Sequence, residues 1–371
     1  MFYFVPMQGR AGNSLFKKLL KDKLAFSGLG IILFAVLISF FAYVIAPDNS
    51  PNADLQTVEI QAKNPGFSQL FLKVPKPNFQ TSHSISELFF GKENKFQWIP
   101  IASYKISGND VEVMKFVDDD TSVVQHYSLQ TLSPENLSGK NAFIEKRKYW
   151  LGTDAFGRDI LSRLIIGTRV SLAVGFIAVI ISLTLGIFAG AVAGYYKGKV
   201  DAVVMWFVNV TWSIPTLLLV FAITMALGKG FWQIFIAVGL TLWVNVARLV
   251  RGQVMAIKEQ EYVQAARALG FSDFRIIAKH ILPNILGPLM VIGAGNFATA
   301  IIIEAGLSFL GIGVQPPQPS WGLMIKENYN FLITHKPMLA IVPGIAIMIL
   351  VLAFNLLGNG LRDAFDVKSY N

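Results

Sequence analysis

Six charge-poor stretches, each about as long as a helix must be to cross a ~30 Å hydrocarbon slab, dominate this sequence. They run Leu24 to Ala46, Ser171 to Tyr196, Ala202 to Gly228, Gly230 to Ala247, Ile281 to Ile303 and Pro337 to Leu361. With 53% of its 371 residues apolar, the chain carries more apolar sequence than a soluble core consumes, and the expected fold class is an all-α polytopic membrane protein. The first run is long, lacks a convincing small-residue cleavage site and follows Arg10, Lys17, Lys18, Lys21 and Lys23. It is expected as a retained anchor with its N-terminus inside, not as a removed leader.

The net charge of +9 is spread over loops and tails rather than gathered in one patch, which points to positive-inside anchoring and away from nucleic acid. Six alternating spans then put Lys197 to Asp201, Arg248 to His280 and the C-terminal tail in the cytoplasm. The middle segment carries Arg248, Arg251, Lys258, Arg267, Arg275 and Lys279, against Lys229 alone in the loop Gly228 to Gly230. Lys146, Arg147, Lys148, Arg158, Arg163 and Arg169 fall outside and run against this bias, in a loop long enough to be exempt from it. With no cysteine in the chain, the exposed segments must fold without disulfides, and thiolate metal sites are excluded.

Between Pro47 and about Trp150 lies an extracytoplasmic insertion. Phe96 to Ile106, Val111 to Val117 and Ser122 to Leu129 alternate apolar and polar residues between Gly-Asn-Asp and Asp-Asp-Asp turns, so the insertion is expected to be β-rich. The expected organisation is a cytoplasmic segment 1–23, a first span 24–46, the insertion 47–150, a membrane core 151–361 holding a cytoplasmic elbow at 251–284, and a cytoplasmic tail 362–371.

The elbow is the candidate site. Glu261 to Leu269 is built of good helix formers, and Gly270 supplies the left-handed residue that ends a helix. Ser272 is placed to cap a second helix with Asp273 in its first turn, and Pro283 is expected to stop it before the fifth span. Ala265, Ala266 and Gly270 carry little bulk, so another protein's surface can approach closely while Arg267 and Arg275 line the rim. A basic amphipathic helix lying on the lipid surface explains the same residues, and the physics alone leaves both readings open.

The segment resembles the coupling motif of ATP-binding-cassette importer permeases, Glu-Ala-Ala, three residues, Gly, nine residues, then Ile-x-Leu-Pro. Gln264-Ala265-Ala266, Gly270 and Leu282-Pro283 fall at that spacing, with Gln264 in the acidic position and His280 in place of Ile. Gly152-Thr-Asp-Ala-Phe-Gly-Arg-Asp-Ile-Leu-Ser-Arg163, Glu304-Ala-Gly-Leu-Ser-Phe-Leu-Gly-Ile-Gly-Val-Gln-Pro-Pro317, Pro319-Ser-Trp-Gly322 and Leu361-Arg-Asp-Ala-Phe-Asp366 are similar to the second permease subunit of dipeptide, oligopeptide and nickel importers. The resemblance covers Lys17 to Asp366 except the insertion, which is unusually long for that group.

It implies a type I importer permease fold of six transmembrane helices in the bacterial inner membrane. It further implies a homologous permease partner, two cytoplasmic ATPase subunits that bind ATP and Mg, and an extracytoplasmic solute-binding protein. The coupling residues would be Glu261, Tyr262, Gln264, Ala265, Ala266, Arg267, Gly270, Leu282 and Pro283. The cargo expected first is a peptide, with nickel chelates and other small solutes behind.

Other residues stand out on their own chemistry. Gly186, Gly190 and Gly194 lie on one helix face, where a neighbouring span can approach closely. Pro215 should kink the third span, with Asn209 and Thr211 nearby as polar partners, and Asn245 is polar within the fourth. These can line a pathway or serve packing alone. Glu304, at membrane depth, needs a cation or a water-filled space, and Arg158, Arg163 and Arg169 are its sequence-plausible partners, whether in a structural salt bridge or in contact with cargo. The proline-stiffened loop ending at Trp321 is expected at the external mouth, with Trp321 interfacial.

No phosphate loop of the Gly-x-x-x-x-Gly-Lys-Ser/Thr kind occurs, so ATP is not bound here in that manner, and no catalytic residues are expected. His83, His126, His280 and His335 are scattered without metal-ligand spacing, and Asp118-Asp119-Asp120 is expected as a solvated turn. A membrane receptor with an extracytoplasmic sensor insertion is the alternative function. An ion-coupled transporter would want inverted repeats or several midplane charges, and neither is apparent.

Overall fold

The computed structural model describes residues 18–76, 87, 89–132, 143–228, 230–334 and 336–365. Arg10, Lys17, His83, Lys229, His335 and Asp366 lie outside the described residues. The principal helices are α1 (Lys23–Phe40), α2 (Ile160–Tyr196), α3 (Gly198–Ser213), α4 (Thr216–Leu227), α5 (Phe231–Lys258), α6 (Glu261–Ala268), α7 (Asp273–Ile276), α8 (Leu286–Phe309), α9 (Trp321–Asn328) and α10 (Met338–Phe365). Among the described residues, five helical stretches are long and apolar enough to cross a membrane, and α3 with α4 makes a sixth if the bent pair is one span. The chain divides into two units, residues 1–36, 171–315 and 345–371 in one and residues 37–170 and 316–344 in the other.

In the first unit, α2 packs along α5 through its small residues. A methyl group added at Gly190 would come within 2.5 Å of the Ala247 carbonyl, and one at Gly194 within 2.7 Å of that of Arg251. At Gly186 the carbonyl of Trp243 and the side chain of Val246 leave no more room. The three glycines thus let two backbones approach where bulk would hold them apart, which is how helices gain contact in a medium as apolar as their side chains.

The third apolar run departs from a simple kink. The chain turns by 97° between α3 and α4. Ile214 precedes a proline, which disfavours helical geometry at that residue, and it sits at φ −92°, ψ 128°. Pro215 follows at φ −53°, ψ 128°, so the helix axis is reset over two extended residues.

The fifth run also differs. Pro283 does not stop the second elbow helix; a π turn (Ile277–Ile281) and a 3-10 turn (Leu282–Ile285) carry α7 into α8 as one stretch from Asp273 to Phe309. Pro283 falls in the first turn of the 3-10 segment, where a missing N–H costs least.

In the second unit, β1 (Phe67–Pro75), β2 (Phe96–Ser107), β3 (Asp110–Phe116), β4 (Ser122–Ser128) and β5 (Ile144–Tyr149) form an antiparallel sheet, in the order β4-β3-β2-β1-β5. Gly108-Asn109 closes the β2–β3 hairpin, with Gly108 at φ +62°, the conformation a two-residue hairpin turn requires of its first residue. The two-residue period sends alternate side chains to opposite faces. Leu72, Ile101, Val111, Val113, Leu132 and Phe143 gather in one core, whereas Phe71 and Tyr149 join Ile60 in another. Strands β2, β3 and β4 lie where alternation predicts them. The reading misses β1 and β5, and β5 (Ile-Glu-Lys-Arg-Lys-Tyr) is charged because it is an edge strand, where charge discourages further pairing.

Candidate functional site

The elbow folds in the first unit on a base of side chains buried beneath it. Val263, Ala266, Ile276, Ile281 and Ile285 pack with Val246, Val250, Val254 and Ile257 of α5 and with Ala191 and Tyr195 of α2. Each isoleucine contributes about 1.5–3 kcal/mol when this face is taken out of water. Gly270 ends α6 at φ +76°, with Gly270 N–H donating to Arg267 O (3.0 Å) and Phe271 N–H to Ala266 O (3.2 Å), a left-handed stop of the kind glycine favours. Ser272 occupies the cap position of α7 without a side-chain hydrogen bond; its carbonyl accepts from Ile276 N–H (3.0 Å) instead.

Polar ties fix the angle between the parts. Tyr195 donates its hydroxyl to Asp273 Oδ1 (2.6 Å) and Lys258 donates to the Tyr195 carbonyl (2.5 Å). Asn284 donates to Tyr262 Oη (3.2 Å) and to the His280 carbonyl (2.7 Å), so Tyr262 and the 3-10 turn are held together; partial burial raises the Tyr262 hydroxyl above its ordinary pKa. Lys197 pairs with Glu259 at 2.7 Å, and that hydrogen bond lowers the Glu259 carboxyl. Gln264 donates its side-chain amide to the Lys258 carbonyl (3.1 Å), a bond an ionised glutamate at that position cannot make.

The small residues divide between two faces. Ala265 and Gly270 are exposed, and an added methyl group at Gly270 would meet nothing within 4 Å. Ala266 is buried and belongs to the base. Glu261, Tyr262, Gln264, Arg267 and Pro283 are exposed and Leu282 is half-buried. Two residues that the motif does not single out dominate the outer surface, Leu269 at 74% and Phe274 at 80% exposure. Spacing alone does not mark Leu269, which continues the three-residue interval of Val263 and Ala266 but falls just past the last helical residue, at the C-cap.

The other candidates lie apart from the elbow surface. Asn209 accepts from Arg248 Nη2 (2.8 Å), whose guanidinium lies 3.8 Å from the Trp212 ring centroid, just before the break at Pro215. Asn245 is exposed on α5. Glu304 is fully buried and accepts from Ser308 Oγ (2.7 Å), which in turn accepts from Val314 N–H.

Two of the arginines expected as its partners, Arg158 and Arg163, have acids of their own in the second unit. Arg158 pairs with Asp154 (2.7 Å), Glu327 (2.6 Å) and Asp54 (3.3 Å), and Arg163 reaches Glu327 at 3.3 Å. Arg169 donates to the Phe89 carbonyl (2.7 Å). Trp321 is buried rather than interfacial, donating its indole N–H to the Leu164 carbonyl (3.0 Å). Asp119, in the acidic turn, pairs with Lys63 at 2.5 Å. Among the described residues no group of three or more metal-ligating side chains gathers.

The family described as "Binding-protein-dependent transport system inner membrane component" matches residues 182–368, and "N-terminal TM domain of oligopeptide transport permease C" matches residues 13–60. The sheet lies between the two matches. The chain is similar to the glutathione transport system permease protein GsiD of Pectobacterium atrosepticum, 42% identical over 59% of this chain and 73% of the relative. It is also similar to the oligopeptide transport system permease protein OppC of Bacillus subtilis, 40% identical over 60% and 72%. A solved structure of the MetNI methionine ABC transporter in an inward-facing conformation aligns over 54% of this chain and 95% of its own, with a TM-score of 0.46 and 19% identity. The receptor alternative draws no support from these comparisons.

Proposed function

Because the chain belongs to the binding-protein-dependent transport system inner membrane components, we propose that it forms, with a homologous permease subunit, the membrane path for peptides or similar small solutes. It is a multi-pass inner-membrane permease of an ATP-binding-cassette importer, a transport subunit rather than an enzyme, and works with ATPase and substrate-binding partners. In the proposed assembly two ATPase subunits bind ATP and Mg and seat on the two permeases' elbows, and an extracytoplasmic solute-binding protein delivers cargo. Both termini lie in the cytoplasm in this arrangement, which puts the elbow on the ATPase side. The glutathione and oligopeptide permeases among the relatives support a peptide cargo.

One observation carries the coupling role: Leu269 and Phe274 stand exposed on a motif whose opposite face is locked to α5 and α2. A large apolar side chain in water is an anchor for a partner's pocket, and a rigid base transmits the push. Glu261, Tyr262, Gln264, Ala265, Arg267, Gly270, Leu282 and Pro283 make up the surrounding coupling surface, and Ala266 serves it from below. ATP closes the ATPase pair and draws the elbows together, turning the cavity outward, and hydrolysis resets it. Neither Asn209, Asn245, Glu304 nor the bend at Pro215 needs to touch the ATPase in this scheme; they are assigned to the path or its support.

The test is reconstitution of the full importer in proteoliposomes with a panel of labelled peptides and metal complexes. ATP-dependent accumulation of a peptide by the wild type, lost in Phe274→Ala with the complex still assembled, is the expected result. Accumulation unchanged in that variant overturns the coupling role, and a metal complex carried in place of every peptide overturns the cargo.

A further inference from the structure

In the second unit, the segment from Phe89 to Lys92 is stitched to the stretch of chain that follows α1. Arg169 donates to the Phe89 carbonyl (2.7 Å), and Lys92 N–H donates to the Asn49 carbonyl (2.8 Å). Between them Gly91 N–H closes a helical turn on the Glu87 carbonyl (3.0 Å). Gly91 sits at φ +85°, and a methyl group added there would come within 2.9 Å of the Pro51 nitrogen and of the Tyr43 ring. The turn is thereby pinned at both ends. What it holds outward is Phe89 and Phe90, at 39% and 74% exposure.

The place where the turn is pinned decides what covers these rings. Phe89 meets Phe40, the last residue of α1, edge-on with ring centroids 6.1 Å apart, and Phe40 meets Phe41 in the same way at 5.0 Å. α1 is long and apolar enough to cross a membrane, and only 17% of it is buried within the molecule. Leu33, Phe34, Leu37, Phe40 and Phe41 are exposed along it, and on a helix that crosses a bilayer such side chains meet hydrocarbon. The apolar surface of the span therefore continues past the end of α1, through Phe40 onto Phe89 and Phe90. Arg169 stands at the same level with its guanidinium 5.1 Å from the Tyr43 ring centroid, and a cation beside an aromatic ring is what the headgroup zone favours. Two large rings held rigidly in water at that level would keep unfavourable apolar surface wet, whereas a bilayer boundary removes it.

We propose that Phe89 and Phe90 form a lipid anchor: their turn lies in the boundary between headgroups and acyl chains beside the end of α1 and fastens the sheet-bearing insertion to the bilayer surface. The partner is the bilayer itself, recognised through apolar ring area and not through one kind of headgroup. The anchor goes beyond the transport reading and does not rest on it, since it requires only that α1 crosses a membrane.

The chain has no cysteine, so one introduced thiol reports one place. Phe90→Cys and, as a reference in water, Asp120→Cys in the exposed turn between β3 and β4 each carry an environment-sensitive fluorophore. The full chain is measured in lipid nanodiscs, alone and with its assembled importer partners. Both positions are exposed, so neither substitution removes a buried contact, and the elution profile confirms it. For Phe90→Cys, lipid spin-labelled near its ester carbonyls roughly halves the emission, as expected of a group seated ~5–10 Å into the boundary, and aqueous iodide has little effect. For Asp120→Cys the two quenchers act the other way round. The same pattern holds in the assembled importer. Iodide quenching of Phe90→Cys equal to that of Asp120→Cys overturns the proposal, because the rings then stand in water. Protection from both quenchers overturns it in favour of a protein cover, and lipid quenching that disappears on assembly gives the patch to a partner subunit.

Discussion

Gly270 and Gly190 are both fixed by the backbone, for opposite reasons. Gly270 has open space around it but a left-handed φ of +76°, so Gly270→Ala is expected to destabilise the elbow by about 1 kcal/mol through backbone strain alone. Protease nicking of the elbow, measured beside coupled ATPase activity, checks it; unchanged nicking would show that the turn tolerates a side chain. Gly190 has ordinary helical geometry but no room, so Gly190→Leu should separate α2 from α5 and remove most of the chain from the monodisperse detergent-solubilised fraction on size-exclusion chromatography.

Asp154 poses a third kind of constraint. It meets Arg158 at 2.7 Å with both side chains almost fully buried, and Asp154→Ala leaves two buried guanidinium groups short of an acid. A loss of about 3–5 kcal/mol is expected, read as a fall in thermal unfolding temperature. A shift of less than a degree would show that Glu327 and Asp54 suffice. Gln264 was legible as a departure from the motif, but its reason was not, because its partner is a backbone carbonyl six residues earlier and no side-chain pattern announces that.

At the level of elements, the elbow presents its working face through Leu269, the residue that caps the end of α6, and Phe274 on α7. Replacing both by Ala should leave the helical unit's melting profile intact, since neither joins the buried base, and abolish co-purification of the ATPase subunits. Retained co-purification would move the contact to the polar rim.

The sequence reads the apolar spans and three of the strands well because each repeats a simple period over many residues. It reads poorly where geometry is decided by two or three residues: the 97° turn needs Ile214 and Pro215 both extended, and the π turn at Ile277–Ile281 has no compositional mark. β1 and β5 escape notice for a related reason. Their pairing is set by partners far along the chain, and β5's charges hide its alternation.

For the whole molecule, the boundary at which the sheet leaves the surrounding chain is narrower than its length suggests. Phe67 at the start of β1 pairs with Tyr149 at the end of β5, so residues 67–149 enter and leave at one place. Asp54 lies before that junction and pairs with Arg158. Excising 67–149 with a short linker is therefore expected to preserve helix content by circular dichroism and a monodisperse elution profile. A longer cut from Asn52 to Phe143 removes Asp54 and should lose both. Equal behaviour of the two deletions would show that the ion cluster is dispensable.

The same junction has a meaning for inheritance. Two chain ends held side by side by a strand pair are a natural splice point, so a single in-frame insertion or loss there can add or discard a whole sheet while every membrane-crossing helix keeps its direction and its neighbours. Such a graft tests new surfaces at the level of one gene event, and the charged edge at β5 keeps each trial from pairing with its siblings.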